Sequence, residues 1–62
     1  MAERLVELFE FCERNGGLPA KMRLAMKTGM TQVTAASSPD SPDLIAKVEA
    51  AVKEITGQDA FP

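Results

Sequence analysis

Apolar residues recur at three- and four-residue steps in three separate segments of this chain, and no segment shows the alternating pattern of a strand. A helix of 3.6 residues per turn places such positions on one side. The clearest repeat lies within 42–56 and comprises Leu44, Ile45, Val48, Ala51, Val52 and Ile55. The spacing predicts an all-α fold: a small three-helix domain, with an αα-hairpin followed by a third helix.

The 62 residues form a single domain with four predicted parts before the tail. These are a helix over 2–14, a helix over 18–30, a Ser/Pro/Asp loop over 31–41 and a helix over 42–56; the tail is 57–62. The first helix ends at Asn15-Gly16-Gly17, because glycine readily adopts the left-handed conformation of a helix end. Pro19 then suits the first turn of the second helix.

The sequence allows more than one conformation in two segments of the chain. Residues 31–38 are rich in Thr, Ser and Ala, which does not distinguish a loop from a short helix, and we expect a loop with a helical turn. Two Ser-Pro-Asp triplets follow at 38–40 and 41–43, and each has the N-cap serine, proline and acid of a helix start. The tail after Gly57 is expected to fray unless Phe61 packs onto the core.

A chain this short has a thin core, because it buries only about 60% of the surface that its unfolded form exposes. Cys12 is the single cysteine and cannot form an internal disulfide, and its position on the core face predicts a small buried hydrophobe. Histidine is absent, so neither a structural zinc nor any cofactor is expected. Association with another chain is the remaining reinforcement, and a homodimer is its commonest form.

Composition also limits the classes of function. Catalysis is not expected, because the chain lacks histidine and its acids are spread along solvated helix faces. The net charge of −2 disfavours nucleic acid and anionic lipid as partners. The sequence contains neither an apolar run of about 20 residues, as a membrane span needs, nor a signal-peptide pattern, so a cytoplasmic location is expected.

A methionine occurs at every fourth position of the second predicted helix. Met22, Met26 and Met30 share one arc with Leu18 and Ala25. The favoured interpretation is that they face inward and fill gaps against the first and third helices, while the lysines face outward. Two others stay open: a surface that repacks around a partner helix, or a thioether site for Cu(I).

Phe11 and Leu24 fall away from the predicted core faces of their helices. In a chain with a thin core they are candidate contacts for a second subunit. The candidate partner interface therefore comprises Phe11, Leu24, Met22, Met26 and Met30. The predicted function is a small non-catalytic protein–protein interaction module, either self-associating or an accessory subunit of a larger complex.

The segment 24–34 resembles helix-turn-helix repressors of the Cro and LacI type, which have a small residue in the scaffold helix and a glycine four positions later. The resemblance implies that Ala25 packs closely, that Gly29 forms the turn, and that a recognition helix follows. It also implies base contacts from Thr31, Gln32 and Thr34 and phosphate contacts from Lys21, Arg23 and Lys27. At the inward positions of that helix, where the family has large aliphatic residues, the chain has Ala35 and Ser38. A DNA-binding protein that uses residues 21–36 is the alternative function.

Overall fold

A computed structural model describes residues 3–61 as three α-helices, with no strand in that range. Helix α1 spans Glu3–Thr28, α2 spans Gln32–Ser37 and α3 spans Pro42–Thr56. The all-α prediction is confirmed, and α3 has the predicted ends. The predicted start of the first helix at Ala2 and the last tail residue, Pro62, lie outside the described residues.

Helix α1 is sharply bent at Gly17, whose backbone has a φ of 76° and a ψ of −173°. The bend separates a first arm, residues 3–16, from a second arm, residues 18–28. The thiol of Cys12 donates a hydrogen bond of 3.4 Å to the carbonyl oxygen of Ala20. Eight residues along a straight helix would be about 12 Å apart, so the second arm folds back towards the first.

The break between the two arms is narrower than the sequence predicts. Asn15 and Gly16 remain helical, and Gly17 is the residue that leaves the helical conformation. Pro19 lies in the first turn of the second arm, where its missing N–H has no intrahelical partner to lose. The two arms therefore form the predicted αα-hairpin with a turn of one residue, because Gly17, with a positive φ and an extended ψ, reverses the chain without a loop.

The two arms approach most closely between Gly16 and Ala20. A Cβ atom at Gly16 would collide with the Cβ of Ala20. This contact places Ala20 against the first arm, and Leu24 and Thr28 follow it at four-residue steps on the same side. All three are buried. The close approach at the kink therefore sets which side of the second arm faces the core.

The predicted inward orientation of the methionines is wrong for two of the three. Met22 is 59% exposed and Met26 is 83% exposed, and Leu18 on the same side is 55% exposed. Met30, which follows the end of α1, is half-buried and packs against the core. The second arm has two apolar sides, and the contact at Ala20 turns the other side inward.

Leu24 and Phe11, which the sequence predicts to lie outside the core, both pack against it. Leu24 is fully buried, because it lies one helical turn after Ala20 on the side that the kink turns inward. Phe11 is half-buried and packs against the core from the edge of the first arm. Both expectations of an exposed apolar residue are therefore wrong.

All three helices contribute to one small core. Both arms of α1 line it, α3 covers it, and α2 adds a single small side chain. Its buried apolar residues are Leu5, Leu8, Phe9, Cys12, Ala20, Leu24, Ala35, Val48, Ala51 and Val52. Since most of these are aliphatic or small, the core depends on close packing of helix backbones rather than on large aromatic groups.

The predicted loop over 31–41 contains the six-residue helix α2. Thr31 is its N-cap: its hydroxyl accepts a hydrogen bond from the backbone N–H of Thr34, and the Thr34 hydroxyl accepts one from the N–H of Thr31. This reciprocal capping box satisfies two donors that a helix start leaves free. Ala35 is fully buried and fixes α2 to the core. The open question about residues 31–38 is answered by a short helix.

The two Ser-Pro-Asp triplets have different roles. Ser41 of the second triplet caps α3, with its hydroxyl accepting a hydrogen bond of 3.2 Å from the N–H of Leu44. In the first triplet, the Asp40 carboxylate accepts hydrogen bonds from the backbone N–H groups of Arg4 at 3.3 Å and Leu5 at 3.4 Å. Asp40 therefore acts as a cap for the start of α1, 35 residues away in sequence.

The tail folds back onto the domain within the described residues. Phe61 is half-buried and packs against the core. The guanidinium carbon of Arg4 lies 4.3 Å from the centroid of its ring, within the range of a cation–π contact. Phe61 therefore lies beside the N-terminal turn of α1, the turn that Asp40 also caps.

Gly16→Ala should destabilise the protein, although alanine is the better helix former by about 1 kcal/mol. The reason is overpacking against Ala20, which typically costs about 1–3 kcal/mol. Urea unfolding followed by circular dichroism measures the change. In an Ala20→Gly background the same substitution should become neutral or stabilising, and destabilisation of equal size in both backgrounds would contradict the contact.

Asp40→Ala should lower the free energy of unfolding by about 0.5–2 kcal/mol, the usual cost of losing a helix cap. The same unfolding measurement tests it. Asp59→Ala is the charge-matched control, since Asp59 forms an exposed ion pair of 3.3 Å with Lys53, and such pairs contribute about 0–1 kcal/mol. Equal losses in the two variants would show that Asp40 acts through its charge alone.

Candidate nucleic-acid interface and exposed apolar stripe

The second arm of α1 and helix α2 are two helices joined by a short turn, and we term this segment the helix-turn-helix unit. The arm ends at Thr28, α2 begins at Gln32, and residues 29–31 join them. Gly29 has a φ of 74°, a left-handed conformation that other residues adopt at a cost, and its N–H donates to the carbonyl oxygen of Ala25 at 2.9 Å. A turn of three residues that contains glycine is typical of this motif.

The outward face of α2 consists of small uncharged side chains. Because Ala35 points into the core, the opposite side of the helix carries Val33 and Ser37. Val33 is 79% exposed and Ser37 is also exposed. Sequence reasoning missed both residues. The signal that finds them is their four-residue spacing on the side of α2 opposite Ala35.

The three residues predicted to contact bases lie at the edge of that face. Thr31 and Thr34 are exposed, but their hydroxyls form the capping box of α2. Gln32 is half-buried at the first position of the helix. The structure therefore brings the predicted residues together at the start of α2, while Val33 and Ser37 are exposed on the side opposite Ala35.

Positive charge is concentrated in and around the helix-turn-helix unit. Residues 14–39 contain Arg14, Lys21, Arg23 and Lys27 but no acid, so all nine acidic residues of the chain lie outside this segment. The net charge of −2 thus conceals a central basic segment between two acidic ones. The net charge alone suggests a uniformly negative surface. The positions of the charged residues along the sequence instead predict a basic region between acidic ones.

Two of the predicted phosphate-binding residues have acidic neighbours. Lys21 forms an ion pair of 3.3 Å with Glu13 on the first arm, and Lys27 forms one of 3.1 Å with Glu54 on α3. Arg23 is exposed and forms no ion pair within residues 3–61. Ion pairs at the surface contribute about 0–1 kcal/mol, so both lysines can exchange their partners for an anionic ligand.

The second arm also carries an exposed apolar stripe, which we define as Leu18, Met22 and Met26. Its members are each more than half exposed and follow one another at four-residue steps. A shallow groove next to its last residue is lined by Arg23, Met26, Lys27, Glu54 and Ile55. A single exposed apolar side chain is normal for a folded protein, whereas three on one helix face form a patch.

Within residues 3–61, Cys12 is a free thiol in the core, and the acids form no cluster with it that could hold a metal ion. Cys12 is buried, and burial raises the pKa of its thiol because the interior disfavours the charged thiolate. No group of three or more His, Cys, Asp or Glu residues within 3–61 is placed to hold a metal ion. Within the same range, no helix is long and apolar enough to cross a membrane.

No protein-family model matches this chain, and no curated protein or solved structure is significantly similar to it. The likeness to helix-turn-helix repressors therefore consists of local features: the spacing of Ala25 and Gly29, the three-residue turn and the cap at Thr31. These features concern the backbone and its turn. Any binding by this segment therefore depends on how the two helices are arranged and on which side chains they expose.

The buried thiol predicts how stability changes at alkaline pH. Since the folded-state pKa of Cys12 lies above the ordinary value of 9.0, the unfolded chain loses this proton first as the pH rises. The Cys12 contribution to stability should be complete below pH 9.0 and should decline above it. Denaturant unfolding at a series of pH values measures this, and the decline should be smaller in Cys12→Ala. Parallel pH profiles for the two proteins would contradict it.

Proposed function

We propose that this chain is a helix-turn-helix protein that binds double-stranded DNA through α2. One observation carries the proposal: the second arm and α2 are joined by three residues, with Gly29 in a left-handed conformation. The buried Leu24, Thr28 and Ala35 fix these two helices to one core. A rigid pair of helices of this kind is the unit that places a second helix in the major groove.

The side chains on the outward face of α2 suit contacts with base edges. Val33 offers an apolar contact for the methyl group of thymine, and the amide of Gln32 offers hydrogen bonds. The hydroxyl of Ser37 donates to the carbonyl oxygen of Thr34 at 3.1 Å, so its oxygen would accept a hydrogen bond from a base amino group. Small side chains also allow the helix backbone to lie deep in the groove. Sequence preference would then come from Val33, Ser37 and Gln32, while the threonines at the N-cap maintain the helix.

The basic residues supply the electrostatic part of the proposed binding. Arg23 and Lys27 lie on the second arm, where the scaffold helix crosses the sugar-phosphate backbone in proteins of this motif. Few cations in an acidic chain mean a weak non-specific component and weak binding by one copy. Proteins of this motif commonly bind as dimers on two half-sites, and self-association would strengthen binding in the same way.

Selection from a randomised duplex pool at about 50 mM salt should enrich a short motif, because low salt preserves the phosphate contacts. Val33→Ser should change the enriched motif without unfolding the protein, since Val33 is exposed. On the enriched duplex, Arg23→Gln combined with Lys27→Gln should lower the slope of log affinity against log salt by about 0.9 for each lost contact. Sequencing of the selected pool gives the enriched motif. Fluorescence anisotropy at several salt concentrations gives the affinities and hence the slope.

The matched control for the charge change is Lys47→Gln combined with Lys53→Gln. Both residues are exposed on α3, and the pair changes the net charge by the same amount. The control should leave the salt slope unchanged. Equal effects of the two pairs would mean that net charge alone governs binding, and failure to enrich any duplex would end the DNA-binding proposal.

A second candidate function is a non-catalytic protein–protein interaction module, and the apolar stripe is the observation that favours it. DNA binding through α2 gives no reason for Leu18, Met22 and Met26 to be exposed together. The module is either self-associating or an accessory subunit of a larger complex, in a cytoplasmic setting. Light scattering coupled to size exclusion separates these forms, since the first gives a dimer or larger species and the second a monomer.

A further inference from the structure

We infer that the apolar stripe binds an acidic, amphipathic helix of another protein. This inference rests on the interaction-module candidate and names the kind of partner that its surface fits. Leu18, Met22 and Met26 lie on successive turns of the second arm and extend over about 12 Å of helix. That length matches two turns of a partner helix with apolar side chains at four-residue steps.

Methionine side chains make this stripe adaptable. Their unbranched, polarisable side chains repack around apolar groups of different shapes, and two of the three stripe residues are methionines. The groove beside Met26, which Ile55 also lines, continues the apolar surface towards α3. A partner helix that lies along the stripe would therefore cover apolar surface from the second arm and from α3.

Basic residues flank the stripe on both sides and define the charge of the occupant. On the helix surface Lys21 lies to one side of the stripe, and Arg23 and Lys27 lie to the other. These three cations outnumber the two acids paired with them, Glu13 and Glu54. On one edge Glu13 balances Lys21. The excess positive charge therefore lies on the other edge, with Arg23 and Lys27. A helix with acidic residues beside its apolar face would meet complementary charge along that edge.

The same flanks disfavour a second copy of this chain as the occupant. If two stripes pack face to face in antiparallel orientation, the edge with Arg23 and Lys27, where cations exceed acids, meets the same edge of the other copy. In parallel orientation it meets the edge where Glu13 balances Lys21, which offers no excess acid. Like charges placed together reduce affinity for the wrong partner. The outer face of the first arm, with Glu3, Glu7 and Glu10, is acidic but has no matching apolar stripe. A different protein is therefore the better fit.

The test uses three synthetic peptides of equal length as probes for the full chain. The first is a helical peptide with leucines on one face and glutamates on both flanks; the second has the same composition in scrambled order; the third has lysines in place of the glutamates. The first should bind at least about tenfold more tightly than either of the others by fluorescence anisotropy. Amide chemical-shift changes should map to 18–27.

Met26→Glu should weaken binding of the first peptide by about tenfold or more, because it places a like charge within the apolar contact. Ala50→Glu is the matched control: Ala50 is exposed, lies on α3 and undergoes the same change of charge. The control should bind the peptide as the unaltered chain does. Both sites are exposed, so loss of folding does not explain a difference between the variants.

Three outcomes would overturn the inference. Equal binding of the ordered and scrambled peptides would show attraction by charge alone, and equal weakening in the two variants would place the contact elsewhere. A dimer in light scattering that loses association with Met26→Glu, with no binding of the acidic peptide, would keep the interaction module but assign the stripe to a second copy. Duplex selection is measured separately, so none of these results bears on DNA binding.

Discussion

The close contact between Gly16 and Ala20 is the constraint on which the rest of the structure depends. Because position 16 lacks a Cβ, the backbone of the second arm approaches the first arm directly after Gly17, whose φ is positive. The thiol of Cys12 completes the contact through the carbonyl oxygen of Ala20. With only 62 residues, the chain has few other means of holding two helical arms together.

The orientation of the second arm determines which surfaces the molecule presents. Since Ala20 faces the first arm, Leu24 and Thr28 are buried and the stripe of Leu18, Met22 and Met26 is exposed. The same orientation directs the end of the arm so that Gly29 leads into α2 with Ala35 inward. One contact at the kink thus positions the helix-turn-helix unit and leaves an apolar surface beside it.

The two candidate surfaces, the outward face of α2 and the apolar stripe, both lie within residues 14–39, a segment of the chain that contains no acid. The acids of the first arm and of α3 surround a segment whose only charged residues are basic. Lys21 and Lys27 connect that segment to its neighbours through exposed ion pairs with Glu13 and Glu54. Such pairs are weak in water. Both lysines can therefore exchange their glutamate partners for other anions.

The sequence by itself determined helix α3 and the all-α class, whereas the turn at Gly29 was implied only by the resemblance to helix-turn-helix repressors and lies inside the predicted helix 18–30. In α3 a single apolar stripe, the cap at Ser41 and the glycine at 57 all favour the same helix, so local and tertiary preferences agree. The basic side chains of the candidate site were also proposed from the sequence, whereas Val33 and Ser37 were not, because their exposure depends on where Ala35 packs. Only the tertiary structure decided the orientation of the second arm, the helix at 32–37 and the capping of α1 by Asp40. The physical reason is that an arm with two apolar sides has no preferred inward face until a contact at another place in the chain selects one.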